Sequence, residues 1–194
     1  MLEQQLVNGI MLGSVYALVA VAFSLTIGVL NFLNFSLPGL FMVGGMLTWF
    51  ALKAGVPWPV VALLVVACGG LLSLLVERFT WRLMRGAGHF VPLVTSMAFL
   101  ILFENLVLIA WGSDQQRVPV PFDSVSFHLG GVVVAVPQLI GLACAVAAVW
   151  CLDWVLKRTR IGRGLRTIAE DAETATLLGV GVSSVVPIVF LIGG

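Results

Sequence analysis

PWPVVALLVVACGGLLSLLV, from Pro57 to Val76, runs for 20 residues without a charge. At about 1.5 Å per residue, a helix of that length spans about 30 Å, the thickness of a bilayer's hydrocarbon core. The pattern repeats along the chain. Between Pro92 and Trp111 the one charge is Glu104, and between Pro137 and Leu156 it is Asp153. Lipid offers backbone N–H and C=O groups no partners, so each segment must satisfy them internally, as a helix does. A transmembrane barrel would alternate apolar and polar residues, and these runs do not. Composition agrees: 60% of the 194 residues are hydrophobic and 10% charged, against about 25% charged in soluble domains. The expected fold class is all-α, a polytopic transmembrane helical bundle forming one domain over residues 1–194.

Upstream, Leu6 to Leu30 is apolar, with small residues in a row at Gly9, Gly13, Ala17, Ala20, Ser24 and Gly28. Such rows let helices approach closely in lipid. The segment breaks at Asn31-Phe32-Leu33-Asn34-Phe35-Ser36-Leu37-Pro38-Gly39, and a second helix is expected from Pro38 to about Leu52, since Pro suits a first helical turn. That helix is short for a span and is expected to begin inside the membrane. Downstream, Gly112 to Val136 is a polar loop. Within it Val125, Phe127 and Leu129 alternate with polar residues, Gly130-Gly131 follows, and then come Val132, Val134 and Val136, a hairpin signal with a two-residue turn. Ser183 to Gly194 is apolar but too short to span, as though the sequence stopped part-way through a further segment.

Lys and Arg near helix ends set orientation. The 77–91 and 157–182 loops are rich in them, whereas the 112–136 loop has Arg117 and the 53–56 loop Lys53. The first two are therefore expected in the cytoplasm and the last two outside. The side on which the N-terminus lies depends on whether 38–52 crosses fully. Trp49, Trp58, Trp111, Trp150 and Trp154 fall near expected helix ends, as an aromatic belt requires. The net charge of +1 points to no partner. The start of the chain, with Glu3 and no Lys or Arg before a long apolar run, does not read as a signal peptide. Cys68, Cys144 and Cys151 lie in apolar segments without metal-type spacing and read as small buried hydrophobes.

No nucleotide-binding loop, H-E-x-x-H, G-x-S-x-G or CxxC pattern occurs, and His89 and His128 are in loops. No enzyme activity, cofactor or metal is expected, nor a nucleic-acid partner. Any energy input must come from another chain.

The loop Arg158 to Gly179 carries Leu165, Ile168, Ala169, Ala172 and Ala175 at helical spacing, with Gly179 where a helix would stop. It reads as a short cytoplasmic amphipathic helix, basic at its start and acidic in its middle. A mostly alanine apolar face is a weak membrane anchor and suits close docking into a protein groove. Glu104-Asn105 interrupts an apolar span. A charge at bilayer depth costs about 2.5–3.5 kcal/mol on insertion scales, so it must face a partner or a wet cavity. It reads either as a pathway lining or as an assembly contact between helices. Asp153 stands four residues before Lys157 and reads as an i, i+4 pair.

The stretch R-T-R-I-G-R-G-L-R-T-I-A-E-D-A-E-T-A-T-L-L-G-V, residues 158–180, resembles the cytoplasmic loop of the branched-chain amino acid ABC permeases, the high-affinity leucine/isoleucine/valine type. Glu173-Thr174-Ala175-x-x-x-Gly179 resembles the E-A-A-x-x-x-G element of ABC importer permeases. N-G-I-M-L-G-S-V-Y-A-L-V-A-V-A-F-S-L-T-I-G-V-L-N-F-L-N-F, residues 8–35, M-V-G-G-M-L at 42–47, and Glu77-Arg78, Arg82 and Arg85-Gly86 are also similar to that family. The resemblance covers the whole chain, and the family normally continues for roughly another third.

It implies a permease subunit in the bacterial inner membrane, working with a second homologous permease subunit, two cytoplasmic ATPase subunits and a periplasmic substrate-binding protein. The helix at Arg163–Leu178 would be the coupling helix, with Arg163, Arg166, Glu170, Asp171, Glu173, Ala175 and Gly179 in the ATPase-coupling loop. Asn34, Ser36, Gly39, Glu104 and Asn105 would border the substrate pathway. The chain departs from the family after Asn34-Phe35: where a small residue, His and Gly are usual, often with an acidic residue next, it has Ser36-Leu37-Pro38-Gly39. The broken segment itself reads two ways. The N-terminus of a half-helix at membrane depth directs N–H groups at a carboxylate, whereas an ordinary turn would be capped by Asn34 or Ser36. A same-fold importer of urea or another small amide, and an ATPase-independent channel or sensor, are the alternative functions.

Overall fold

A computed structural model describes residues 2–83, 88, 90–114, 116–118, 126–129, 132–170, 172–177 and 181–194; of residues 126–129, 132, 172–174 and 182–184 it describes the backbone alone. The helices are α1 (Leu2–Leu30), α2 (Ser36–Lys53), α3 (Trp58–Glu77), α4 (Phe90–Trp111), α5 (Val136–Arg158), α6 (Arg160–Glu170), α7 (Ala172–Leu177) and α8 (Val182–Gly193). A hairpin of β1 (Ser126–Leu129) and β2 (Val132–Ala135) precedes α5. Its antiparallel register pairs Leu129 with Val132 and Ser126 with Ala135, the two-residue connection that the alternation requires. Four helices are long and apolar enough to cross a bilayer: Leu2–Leu30, Trp58–Arg82, Phe90–Trp111 and Val136–Arg158.

Local chemistry sets the helix ends. Asn31 adopts a left-handed conformation, φ 57°, and its N–H donates to Ile27 O at 2.9 Å, which stops α1. Gly55 and Gly112, both at φ 80°, do the same for α2 and α4. α2 begins at Ser36 rather than Pro38, which falls inside its first turn. α3 does not give way to a basic loop at Glu77 as the charge pattern indicated. It continues through a π-helical turn, Arg78–Arg82, so Arg78 and Arg82 are helical.

The helices pack in a row, α4 against α2, α2 against α3, α3 against α8, α8 against α1 and α1 against α5. α4 and α5 are therefore the edges. The core gathers Leu25, Leu30, Phe32, Leu37, Leu40, Val76, Phe103, Leu165, Val186, Val189 and Phe190. These come from the end of α1, the start of α2, the end of α3 and the amphipathic helix, so the packing is concentrated at one end of the bundle. The small-residue row of α1 takes no part in it: Gly9, Gly13 and Gly28 have nothing within 4 Å of a Cβ position among the described residues, and the row is exposed. Cys144 and Cys151 are exposed on the edge helix α5 rather than buried, and Cys68 is half-buried.

The two ends of the bundle separate its charges. Gln4 of α1 is locked to the hairpin: its Nε2 donates to Val133 O at 2.8 Å and its Oε1 accepts from Val133 N at 2.7 Å. At the same end, Phe50 meets Trp111 edge-on at 6.2 Å and Lys53 lies 4.6 Å over the Trp49 ring. The other end collects Leu30, Arg82 and the Arg158–Leu177 region, and with them most of the Lys and Arg. The positive-inside rule assigns that end to the cytoplasm and so sets Leu2 outside with the hairpin. On a cysteine-free background, Ser113→Cys is expected to react with an impermeant thiol reagent added to intact cells, and Glu170→Cys only after the membrane is opened. The opposite pattern would invert the orientation.

Candidate coupling surface and pathway residues

The corner from α5 to α6 is a small hydrogen-bonded hinge. The Thr159 Oγ donates to Val155 O at 2.7 Å and accepts the Gly162 N–H at 3.0 Å, closing one helix and capping the next with one hydroxyl. Gly162 is buried against the last turn of α5, where a Cβ would lie 2.5 Å from Leu156 Cα. The chain can turn there because the side chain is absent. The Asp153 carboxylate accepts from the Lys157 ammonium at 2.8 Å on the exposed face of the same turn, the pairing that their spacing predicts.

α6 then lays its apolar face on the bundle. Leu165 and Ile168 are 1% and 4% exposed, and Ala175 of α7 is 0% exposed. α6 touches α1, α5 and α8. This corrects the expectation that the apolar face is offered to another protein. Leu165 and Ile168 are bulky enough to be drawn into the chain's own core, and Ala169 stays outside with Arg163, Arg166 and Glu170, all exposed. What faces away from the bundle is the charged face. Asp171 and Gly179 lie outside the described residues, as does the Glu173 side chain.

The link between α1 and α2 is dry and internally satisfied. Asn34 is 1% and Ser36 0% exposed. The Asn34 Oδ1 accepts from Ser36 N at 3.1 Å and from Ser36 Oγ at 2.7 Å. Phe35 N donates to Ser96 Oγ at 3.1 Å. Ser96 stands six residues beyond Phe90, the first residue of α4, so α2 begins about 9 Å in from the start of its neighbour. A Cβ on Gly39 would lie 3.0 Å from Phe103 Cδ2 and 3.3 Å from Leu100 Cδ1. Phe32 stacks on Trp81, ring centroids 6.1 Å apart. Of the two readings of this segment, the capped turn matches the hydrogen bonds: the first N–H of α2 is already taken. Asn34→Ala is expected to destabilise the detergent-solubilised protein by about 1–2 kcal/mol, the cost of a lost cap. Thermal unfolding followed by tryptophan fluorescence measures it, with Asn34→Asp close to wild type.

Glu104 and Asn105 are in a different position. Both are exposed on α4, seven and six residues before Trp111, which is about 10 Å inside the span. Asn105 Nδ2 donates to Ile101 O at 2.7 Å. The structure thus brings Asn34, Ser36 and Gly39 together inside the subunit and leaves Glu104 and Asn105 on its outside. Gly162 and Thr159 were not singled out by sequence; the only sign of them was a Gly two residues into an amphipathic helix that follows directly on a span.

Comparison with known proteins accords with this geometry. The family described as branched-chain amino acid transport system / permease component matches residues 5–194. The high-affinity branched-chain amino acid transport system permease protein BraD of Pseudomonas aeruginosa is 28% identical over 98% of this chain and 66% of its own length. The LivH permease proteins of Salmonella typhimurium and of Escherichia coli K12 are each 26% identical over the same shares. The chain therefore spans 66% of the length of these curated relatives, which are named as transport permeases rather than enzymes. No solved structure matches the chain significantly. A multi-pass helical bundle, an amphipathic helix at its basic end and a family match running from residue 5 to residue 194 lead to one assignment: the chain belongs to the branched-chain amino acid transport permease family.

Proposed function

We propose that this chain is the membrane-spanning permease subunit of an ABC importer in a bacterial inner membrane, carrying branched-chain or related small amino acids inward. ATPase subunits on separate chains supply the energy, a binding protein delivers substrate at the hairpin end, and a second homologous permease subunit completes the pathway. The observation that carries the reading is the seating of α6. Its apolar side is held by α1, α5 and α8 while Arg163, Arg166 and Glu170 face outward. A helix held that way moves with the spans, and its free charged face is what an ATPase would push and pull. Alternating access then follows from tilting α1, α5 and α8 together.

Glu104 and Asn105 are the polar groups of this subunit that border the pathway, since a carboxylate on the outside of a span needs protein or water against it. The Asn34–Gly39 segment acts indirectly, by fixing where α2 starts. The test is uptake by proteoliposomes holding the complete complex and the binding protein, with labelled leucine, valine and urea offered separately. ATP-dependent accumulation of leucine and valine is expected. Accumulation of urea alone would move the substrate class, and flux indifferent to ATP would favour a channel.

A further inference from the structure

α4 has two opposite faces. Pro92, Ser96, Phe103 and Val107 are buried against the rest of the chain. On the other side, Val94, Ala98, Ile101, Asn105 and Leu108 follow one another at intervals of four, three, four and three residues, and every one of them is exposed. That spacing is the a/d seam of helix pairs, in which a lone polar residue sets register at some cost in stability. Asn105 occupies the centre of the seam, and Glu104 stands at its flank. α4 is an edge helix, packed on α2 and the π-helical turn.

Acyl chains cannot serve this polar pair. The chain's 10 Lys and Arg all lie at the ends of the spans or in the connections between them, so no cation of its own is level with Glu104. Asn105 uses one amide N–H on Ile101 O, which leaves its carbonyl oxygen and second N–H to whatever covers the seam. A polar group at that depth is stable only beside protein or water.

We propose that this face of α4 is the contact with a second permease subunit. The partner is a transmembrane helix that brings a hydrogen-bond donor to the level of Glu104 and Asn105. The apolar seam residues supply the packing, and the polar pair fixes the register of one subunit against the other. The inference rests on the transporter reading, because it takes the partner to be a permease. The polar pair then stands at the seam between two subunits, where a pathway between them would run.

The experiment uses the full-length chain assembled with its complex in native membranes, with a photoreactive benzoylphenylalanine at Ile101 or at Leu108. Irradiation is expected to give an adduct of two permease masses, and mass spectrometry of the linked peptides should identify a permease helix. Glu104→Leu should lower the adduct yield about fivefold, the scale of a lost interhelical hydrogen bond, while Glu104→Gln keeps it. Adducts with lipid alone, or links confined within one chain, would overturn the proposal, and so would an unchanged yield in Glu104→Leu. Uptake by the wild-type complex, measured in parallel, separates the two failures. Intact leucine uptake with lipid adducts removes this surface and leaves the transporter; a permease adduct without amino-acid uptake does the reverse.

Discussion

Gly162→Val is expected to cut ATP-driven uptake by more than about tenfold while the chain still inserts in the membrane, and Gly162→Ala should produce a milder form of the same defect. The reason is local. Gly162 lies in the first turn of α6, against the last turn of α5, and a Cβ there meets the carbonyl oxygens of Val155 and Leu156 as well as Leu156 Cα. These are backbone atoms, which cannot rotate aside as a side chain can. Overpacking of this kind typically costs about 1–3 kcal/mol. The strain is relieved by swinging α6 away from α5, which lifts Leu165 and Ile168 out of their seat. Assembly and the basal ATPase rate of the complex should persist, whereas stimulation of ATP hydrolysis by loaded binding protein should be lost. Wild-type uptake by Gly162→Val would mean that the corner is not a rigid link.

Glu104→Leu should abolish uptake, and Glu104→Gln should retain most of it. Gln preserves the shape and the hydrogen-bonding oxygen, whereas Leu removes both and makes the face uniformly apolar. Because Glu104 is exposed on its own subunit, neither change disturbs packing within the chain, so thermal stability of the solubilised subunit should stay within about 0.5 kcal/mol of wild type. That separates this residue from Gly162, where stability and transport fall together. Equal loss in both variants would show that the charge itself is required; equal retention would take Glu104 out of the pathway.

The spans, the hairpin and the amphipathic helix were legible because each rests on local periodicity or on local chemistry. Twenty apolar residues need no tertiary partner to become helical in lipid, and Gly130-Gly131 between alternating residues specifies its turn within a few positions. What the sequence could not convey was direction. The spacing of Leu165, Ile168 and Ala175 defines a face but not what it meets, and it meets the chain's own α1, α5 and α8. The row from Gly9 to Gly28 likewise defines a smooth surface, yet it stays open in this chain. The Asn34–Gly39 segment was ambiguous because an amide beside a helix start serves a ligand or a cap equally well. Only the 2.7 Å and 3.1 Å contacts with Ser36 decide between them. Gly162 was hidden for a related reason: a glycine's close approach to another helix leaves no mark in periodicity.

The neighbours of α1 also say something about time. Its principal partners, α5, α6 and α8, begin at Val136, Arg160 and Val182, and Gln4 waits for Val133. A ribosome adding about 5–20 residues per second makes α1 long before any of them exists. For several seconds this first helix must reside in the bilayer with almost nothing to lean on. Its outer half, apolar all round and little buried even at the end, is suited to that interval. The newborn helix can stand alone in lipid until the later spans close around its inner end.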